Sequence, residues 1–291
     1  MVGLILFTVT GPVRAQEPVG TIVVAHGGGE EWNRLVTEVV AQTRTGGPVE
    51  VSFLMGPGAR SNRFQDIARK MEESGVRRIV VVPLLISSHS GHYEQIRYLA
   101  GQTPVLSEAM LHHLHMSGLE PARVRVPIVV ARAMDDAPDV AEVLAARARL
   151  LVTQPDGGAL FLIAHGPNAP EDVAIWMKNL RTLARRVQAE TGLRDVRVGI
   201  VQDDAAPSVR AEAVQRVREI IELQYAATQR PVAVVPVLIS QGSLTREKLP
   251  ADLLGLPIHY DGQALLPHPG VARWIETRSR EAASAVSSHP R

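Results

Sequence analysis

The chain has 291 residues, enough for one or two domains with a substantial core. A net charge of +1 and an aromatic content of 4% give no electrostatic field or stacking surface for a nucleic acid. With no cysteine, disulfides, thiolate metal ligands and cysteine nucleophiles are all excluded. Any metal must be held by histidine, by carboxylate or by a ligand of its own.

In chain order, Val2 to Val9 is a short apolar run followed by GPVRAQ, with small residues Val13 and Ala15 ahead of Gln16. This predicts a secretory signal over residues 1–15 and a periplasmic or secreted protein, although no Lys or Arg precedes the run. Without export the chain would be cytoplasmic. No apolar stretch approaches the ~20 residues that span a bilayer, so no integral membrane segment is expected.

A strand ending in GTIVVAHGGG (20–29) is followed by an amphipathic helix over 31–43, a strand VEVSFLM (49–55), a turn and a helix over 63–74. A third strand, RRIVVVPLLIS (77–87), leads into the loop SHSGH. A helix is expected over 107–117 and another over 140–151, between turns at 135–139 and 154–158. The pattern then repeats. ALFLIAHGP (159–167) copies the first strand, a helix follows over 171–191, VRVGIVQ (196–202) copies the second strand, and a helix spans 208–225. RPVAVVPVLIS (230–240) copies the third strand. A repeat of half the chain is a domain duplication rather than a solenoid. Continuous Val/Ile/Leu strands alternating with helices predict an α/β fold. Each half would be a small, doubly wound parallel sheet flanked by helices, with a cleft between the halves. The expected boundaries are 16–155 and 156–291.

Ligands in such sheets sit beyond the carboxyl ends of the strands. His26-Gly27-Gly28-Gly29 falls at one such end, where glycines permit close backbone approach, and His165-Gly166 falls at its copy. His89 and His92 lie in the loop after the third strand, and neutral imidazoles there suit a divalent metal or a proton. A tight turn and a solvated loop are the plainer readings of each motif taken alone. Glu94 suits the opening of the next helix. His112, His113 and His115 read as an exposed face or a secondary metal site, and His268 as a shaper of the C-terminal helix start. HGGG also occurs in esterase oxyanion holes, but the chain has no Gly-x-Ser-x-Gly elbow. No P-loop or dinucleotide fingerprint is present, so no nucleotide is expected.

VVAHGGG, VVVPLLISSHSGH, the duplicate IAHGPNAPE with VVPVLISQGSLTREKLPADLLGLPI, and LLPHPGVARWIE resemble the class II tetrapyrrole chelatases. Within that class they are most similar to the sirohydrochlorin cobaltochelatases and ferrochelatases of CbiX/SirB type, over residues 20–275. The resemblance implies ATP-independent insertion of a divalent metal into a tetrapyrrole held between the two halves. The metal would be Co2+ foremost, with Fe2+ or Ni2+ as alternatives, and sirohydrochlorin or a relative would be the macrocycle. It implies two site histidines in one half, His26 and one from the 89–92 loop. The family's second histidine aligns with Gly91, so His92 is taken first and His89 second, both as metal ligands. In the other half His165 matches, but Leu244 stands at the partner position. Gly27, Gly28, Ser87, Ser88, Arg63 and Arg246 would border the macrocycle, whose carboxylates would also suit Arg60, Arg97 and Lys248. The alternative is an exported metal or tetrapyrrole binder that uses the same ligands without turnover. The duplication itself supplies an intrachain pseudo-dimer.

Overall fold

The computed structural model describes residues 18–287, apart from 153 and 155. The expected signal over 1–15 lies outside the described residues.

Runs of β-branched residues form the strands, and amphipathic segments cover them. The first half runs β1 (Val19–Ala25), α1 (Glu30–Gln42), β2 (Val49–Phe53), α2 (Pro57–Ser61), α3 (Phe64–Glu73), β3 (Arg78–Leu84), α4 (Gly91–Leu99), α5 (Glu108–Met116) and β4 (Ile128–Val130). Helix α6 (Pro138–Leu151) links it to β5 (Ala159–Ala164), α7 (Pro170–Thr191), β6 (Asp195–Ile200), α8 (Pro207–Thr228) and β7 (Val232–Val237). A π-helical turn (Leu244–Lys248), α9 (Leu249–Asp252), β8 (Ile258–His259) and α10 (Pro269–Ser287) complete the chain.

Both sheets are parallel and four-stranded, in the orders β2-β1-β3-β4 and β6-β5-β7-β8. The short strands β4 and β8 escape a periodicity search because they contain only three and two residues. Pro83 sits in β3 just past the last residue paired with β4, and Pro236 sits likewise in β7 beyond its pairing with β8. A missing N–H is tolerated where pairing has ended on that side.

Alternate residues of β1 enter different cores. Val23 and Ala25 face one, and Ile22 and Val24 face the other, which is backed by Phe64, Ala68 and Ile96. The first of these cores is continuous across the molecule. It joins Val80 and Val82 of β3 to Leu160 and Leu162 of β5, and includes Leu144, Leu180 and Trp274 from the intervening helices. The helices cross over between the halves. Helix α6 packs on α7 and β7, while α10 packs back on β1, β3 and α1. Thr21 of β1 and Ser279 of α10 share a buried hydrogen bond of 2.8 Å. The His268 ring accepts the Gly270 N–H at 3.0 Å, which shapes the start of α10. Among the described residues no helix is long and apolar enough to cross a membrane.

Candidate functional site

His26 follows β1 directly, and its copy His165 follows β5 directly. In both, Nδ1 lies 2.7 Å from the carbonyl of the next glycine. A carbonyl can only accept, so Nδ1 carries the proton and Nε2 keeps its lone pair. Gly27, Gly28 and Gly166 are required by the turns themselves. Gly27 has φ +93°, and a Cβ there would stand 2.3 Å from the Met55 carbonyl oxygen. A Cβ on Gly28 would strike the Trp32 ring at 2.9 Å, and one on Gly166 would strike Ile200. At these three positions the chain itself makes the close approach that only glycine permits.

The loop after β3 turns sharply into α4, capped by Ser90, whose hydroxyl accepts the Tyr93 N–H. This places His92 in the first turn, where its ring meets His26 edge to face, with centroids 4.5 Å apart and planes at 77°. His89 makes no such ring contact among the described residues, so His92 is the member of the loop that pairs with His26. The His92 Nδ1 lies 2.9 Å from Gln95 Oε1. The Gln95 amide nitrogen donates to the Met110 carbonyl at 2.9 Å, which fixes the amide oxygen toward the imidazole. His92 therefore also carries its proton on Nδ1, and Nε2 of both rings makes no hydrogen bond among the described residues. Burial lowers the His26 pKa, with the Gly27 carbonyl working against it. Burial, with the neighbouring His26 next, pushes His92 down to about 4. Two neutral imidazoles with fixed tautomers are competent ligands at neutral pH.

The rest of the loop is braced. Ser87 is buried, and its hydroxyl accepts the His89 N–H at 3.0 Å. The Ser88 hydroxyl donates to Asp135 Oδ2 and accepts the Ala133 N–H, and the Ser88 N–H donates to Asp135 Oδ1, each at 2.8 Å. These serines hold the loop, with their hydroxyls already engaged. The second half holds it too. The Trp176 indole N–H of α7 donates to the His89 carbonyl at 2.7 Å, and Asn179 reaches Asp135 at 3.5 Å. Sequence reading missed Gln95, Asp135 and Trp176 because each acts through another residue.

Of the expected cationic contacts, Arg63 pairs with Asp66 of α3 at 2.6 Å and Arg97 with Glu94 of α4 at 3.2 Å. Arg246 donates to Gln241 at 3.0 Å and lies close enough to lower the Glu31 pKa, although Arg34 is the main cause of that shift. Arg246 thus belongs to the mouth between the halves, while Arg63 is tied to its own helix. His112, His113 and His115 stand exposed on α5, with His113 near enough to His92 to contribute to its lowered pKa. No serine hydroxyl is hydrogen-bonded to a histidine ring among the described residues, which leaves the esterase reading without a nucleophile.

The second half contributes more than its histidine. After β6, Gln202 adopts a left-handed φ of 47°, and the chain turns so that the Asp203 side chain is 8% exposed and that of Asp204 74%. Asp204 Oδ2 lies 3.0 Å from His165 Nε2. His165 and Asp204 both act electrostatically on His26, so the carboxyl edges of the two sheets face one space. In sequence Asp204 is one aspartate in the turn between β6 and α8, and only the fold brings it to His165.

The two like-ordered sheets are matched by solved structures. SirB from Bacillus subtilis with Fe3+ is 17% identical with a TM-score of 0.67, covering 94% of this chain and 98% of that one. The sirohydrochlorin chelatase SirB from Bacillus subtilis subspecies spizizenii, in complex with cobalt, is 18% identical with a TM-score of 0.59, covering 94% and 98%. DR2241 from Deinococcus radiodurans, a multi-domain protein with structural similarity to chelatases, is 20% identical with a TM-score of 0.58, over 91% of this chain and 55% of that one. No curated protein matches the sequence. The fold is that of the class II chelatases, both halves included. Residues 20–150, the half that carries the imidazole pair, match the CbiX family model.

Proposed function

We propose that the protein is a chelatase that inserts a divalent metal into sirohydrochlorin or a related tetrapyrrole, with Co2+ favoured and Fe2+ or Ni2+ as alternatives. The observation that carries this reading is the His26–His92 pair, two half-buried neutral imidazoles 4.5 Å apart with both Nδ1 atoms engaged. The cobalt and Fe3+ held by the two SirB structures support a metal as substrate.

The chemistry divides between metal and protein. Insertion replaces two pyrrole protons with M2+, so two protons must leave the ring as the metal enters. Imidazole ligands hold the ion with open positions toward the ring nitrogens, and its charge acidifies the pyrroles it approaches. A histidine pushed down to about 4 is a weak base but a ligand that protons barely contest at neutral pH. Metal holding is therefore the main role of His92, and water or a substrate carboxylate carries the protons away. No step needs ATP. Arg246 at the mouth supplies positive charge for the macrocycle's carboxylates.

The test is purified protein with sirohydrochlorin and Co2+, Fe2+ or Ni2+, followed by absorbance. The reading expects a rate above the spontaneous one with at least one metal, and no such rate with any of the three refutes it. Mature protein beginning at Gln16 would support export, and an intact residue 1 would oppose it.

A further inference from the structure

We propose that His165 and Asp204 form a second divalent-cation position, in the C-terminal half, which takes the ion from solvent and faces the imidazole pair. This rests on the chelatase reading for its purpose, but its binding claim stands on geometry alone. The His165 Nδ1 proton is committed to the Gly166 carbonyl at 2.7 Å. Its Nε2 nonetheless faces Asp204 Oδ2 at 3.0 Å. In the neutral ring this sets a lone pair against a carboxylate oxygen, two acceptors with no hydrogen between them. The contact is favourable only with a cation there, either a second proton on the ring or a metal bridging Nε2 and the carboxylate. Asp203 brings a third potential ligand atom into the group, within 4.8 Å of the others. It is not a ligand, because Lys248 at 2.7 Å and Arg210 at 3.0 Å already occupy its two oxygens. Although burial works against it, these two cations hold the Asp203 carboxyl below the usual range. Asp203 is thus the anchor of the loop, and the exposed Asp204 is its working end.

The two positions are chemically unlike. His26 and His92 are half-buried and neutral and, among the described residues, have no carboxylate in contact, which suits holding an ion already stripped of water. His165–Asp204 is open to solvent and carries a negative charge, which suits capture of a hydrated M2+. Asp204 also raises the His26 and His92 pKa values, so its field reaches the pair. An ion resting at Asp204 cancels that field, and its repulsion of a second ion at the pair makes transfer, rather than joint occupancy, the favoured course. The duplication then provides two stations for one ion.

The experiment is Co2+ titration of metal-free full-length protein at pH 7.5, by calorimetry and by the visible absorption of bound cobalt. A His26→Ala/His92→Ala variant should still bind one Co2+, and adding Asp204→Asn should weaken that binding at least tenfold. His165→Gln in the same background should do the same, as a second variant with its own melting curve as a folding control. The proposal is overturned if the double histidine variant binds no Co2+, or if its binding is unchanged by Asp204→Asn and His165→Gln in folded protein. Failure of the chelatase reading would appear instead as wild-type protein that binds Co2+ but inserts none.

Discussion

Cobalt binding at the imidazole pair should be nearly independent of pH from 8 down to 5. Metal and proton compete for the same lone pair, so apparent affinity follows the fraction of neutral ring. An ordinary histidine near 6.5 is only about 3% neutral at pH 5, and each such ligand would weaken binding about 30-fold. Burial, reinforced by His26, pushes His92 down to about 4, so at pH 5 about 90% of it stays neutral and its share of the loss is about 1.1-fold. Burial lowers His26 as well, in the same direction. The same shift bears on stability. The folded pKa lies below the unfolded one, so the unfolded chain binds more protons, and stability is full above 6.5 and falls as the pH drops through about 4. A shift from 6.5 to about 4 corresponds to about 3 kcal/mol across that window. The assay is Co2+ calorimetry between pH 5 and 8 on the Asp204→Asn variant, in which only the pair reports. A fall of 30-fold or more between pH 8 and 5 would refute the neutral-imidazole description of the site.

Three other substitutions probe the supports of the pair. Gln95→Leu removes the acceptor that fixes the His92 tautomer, and Co2+ affinity should drop about tenfold with the fold retained, as measured by titration and by nitrogen NMR of the ring. Trp176→Phe deletes the hydrogen bond from the second half to the His89 carbonyl, and should lower stability by about 1 kcal/mol in chemical denaturation while slowing insertion. Asp135→Asn keeps a residue that tolerates the φ of 47° but removes the charge accepting the Ser88 and Arg132 donors. It should cost about 2 kcal/mol in the same denaturation experiment.

The sheets and their duplication were legible because buried parallel strands are written as unbroken Val/Ile/Leu runs, and because two copies confirm each other. His26 and His165 were legible from their places at strand ends. The preference for His92 over His89 came from the family resemblance alone, and its physical cause, the Ser90 cap and α4 beginning at Gly91, which turn one ring toward His26, was not legible. The glycines pointed to a ligand in sequence and to Met55, Trp32 and Ile200 in the structure, because close backbone packing and close ligand approach favour the same residue. Asp204 went unread since a lone aspartate in a turn has no pattern. Only the fold brings it, across the chain's two halves, to His165 and His26.

The central claim is that the paired imidazoles of the N-terminal half handle the metal. Its most direct test is the initial rate of Co2+ insertion into sirohydrochlorin by wild type, His26→Ala and His92→Ala at pH 7.5 and saturating metal. Each substitution should reduce the rate above background at least 100-fold, with melting curves showing folded protein. Folded variants that keep a rate within a few-fold of wild type would contradict the account.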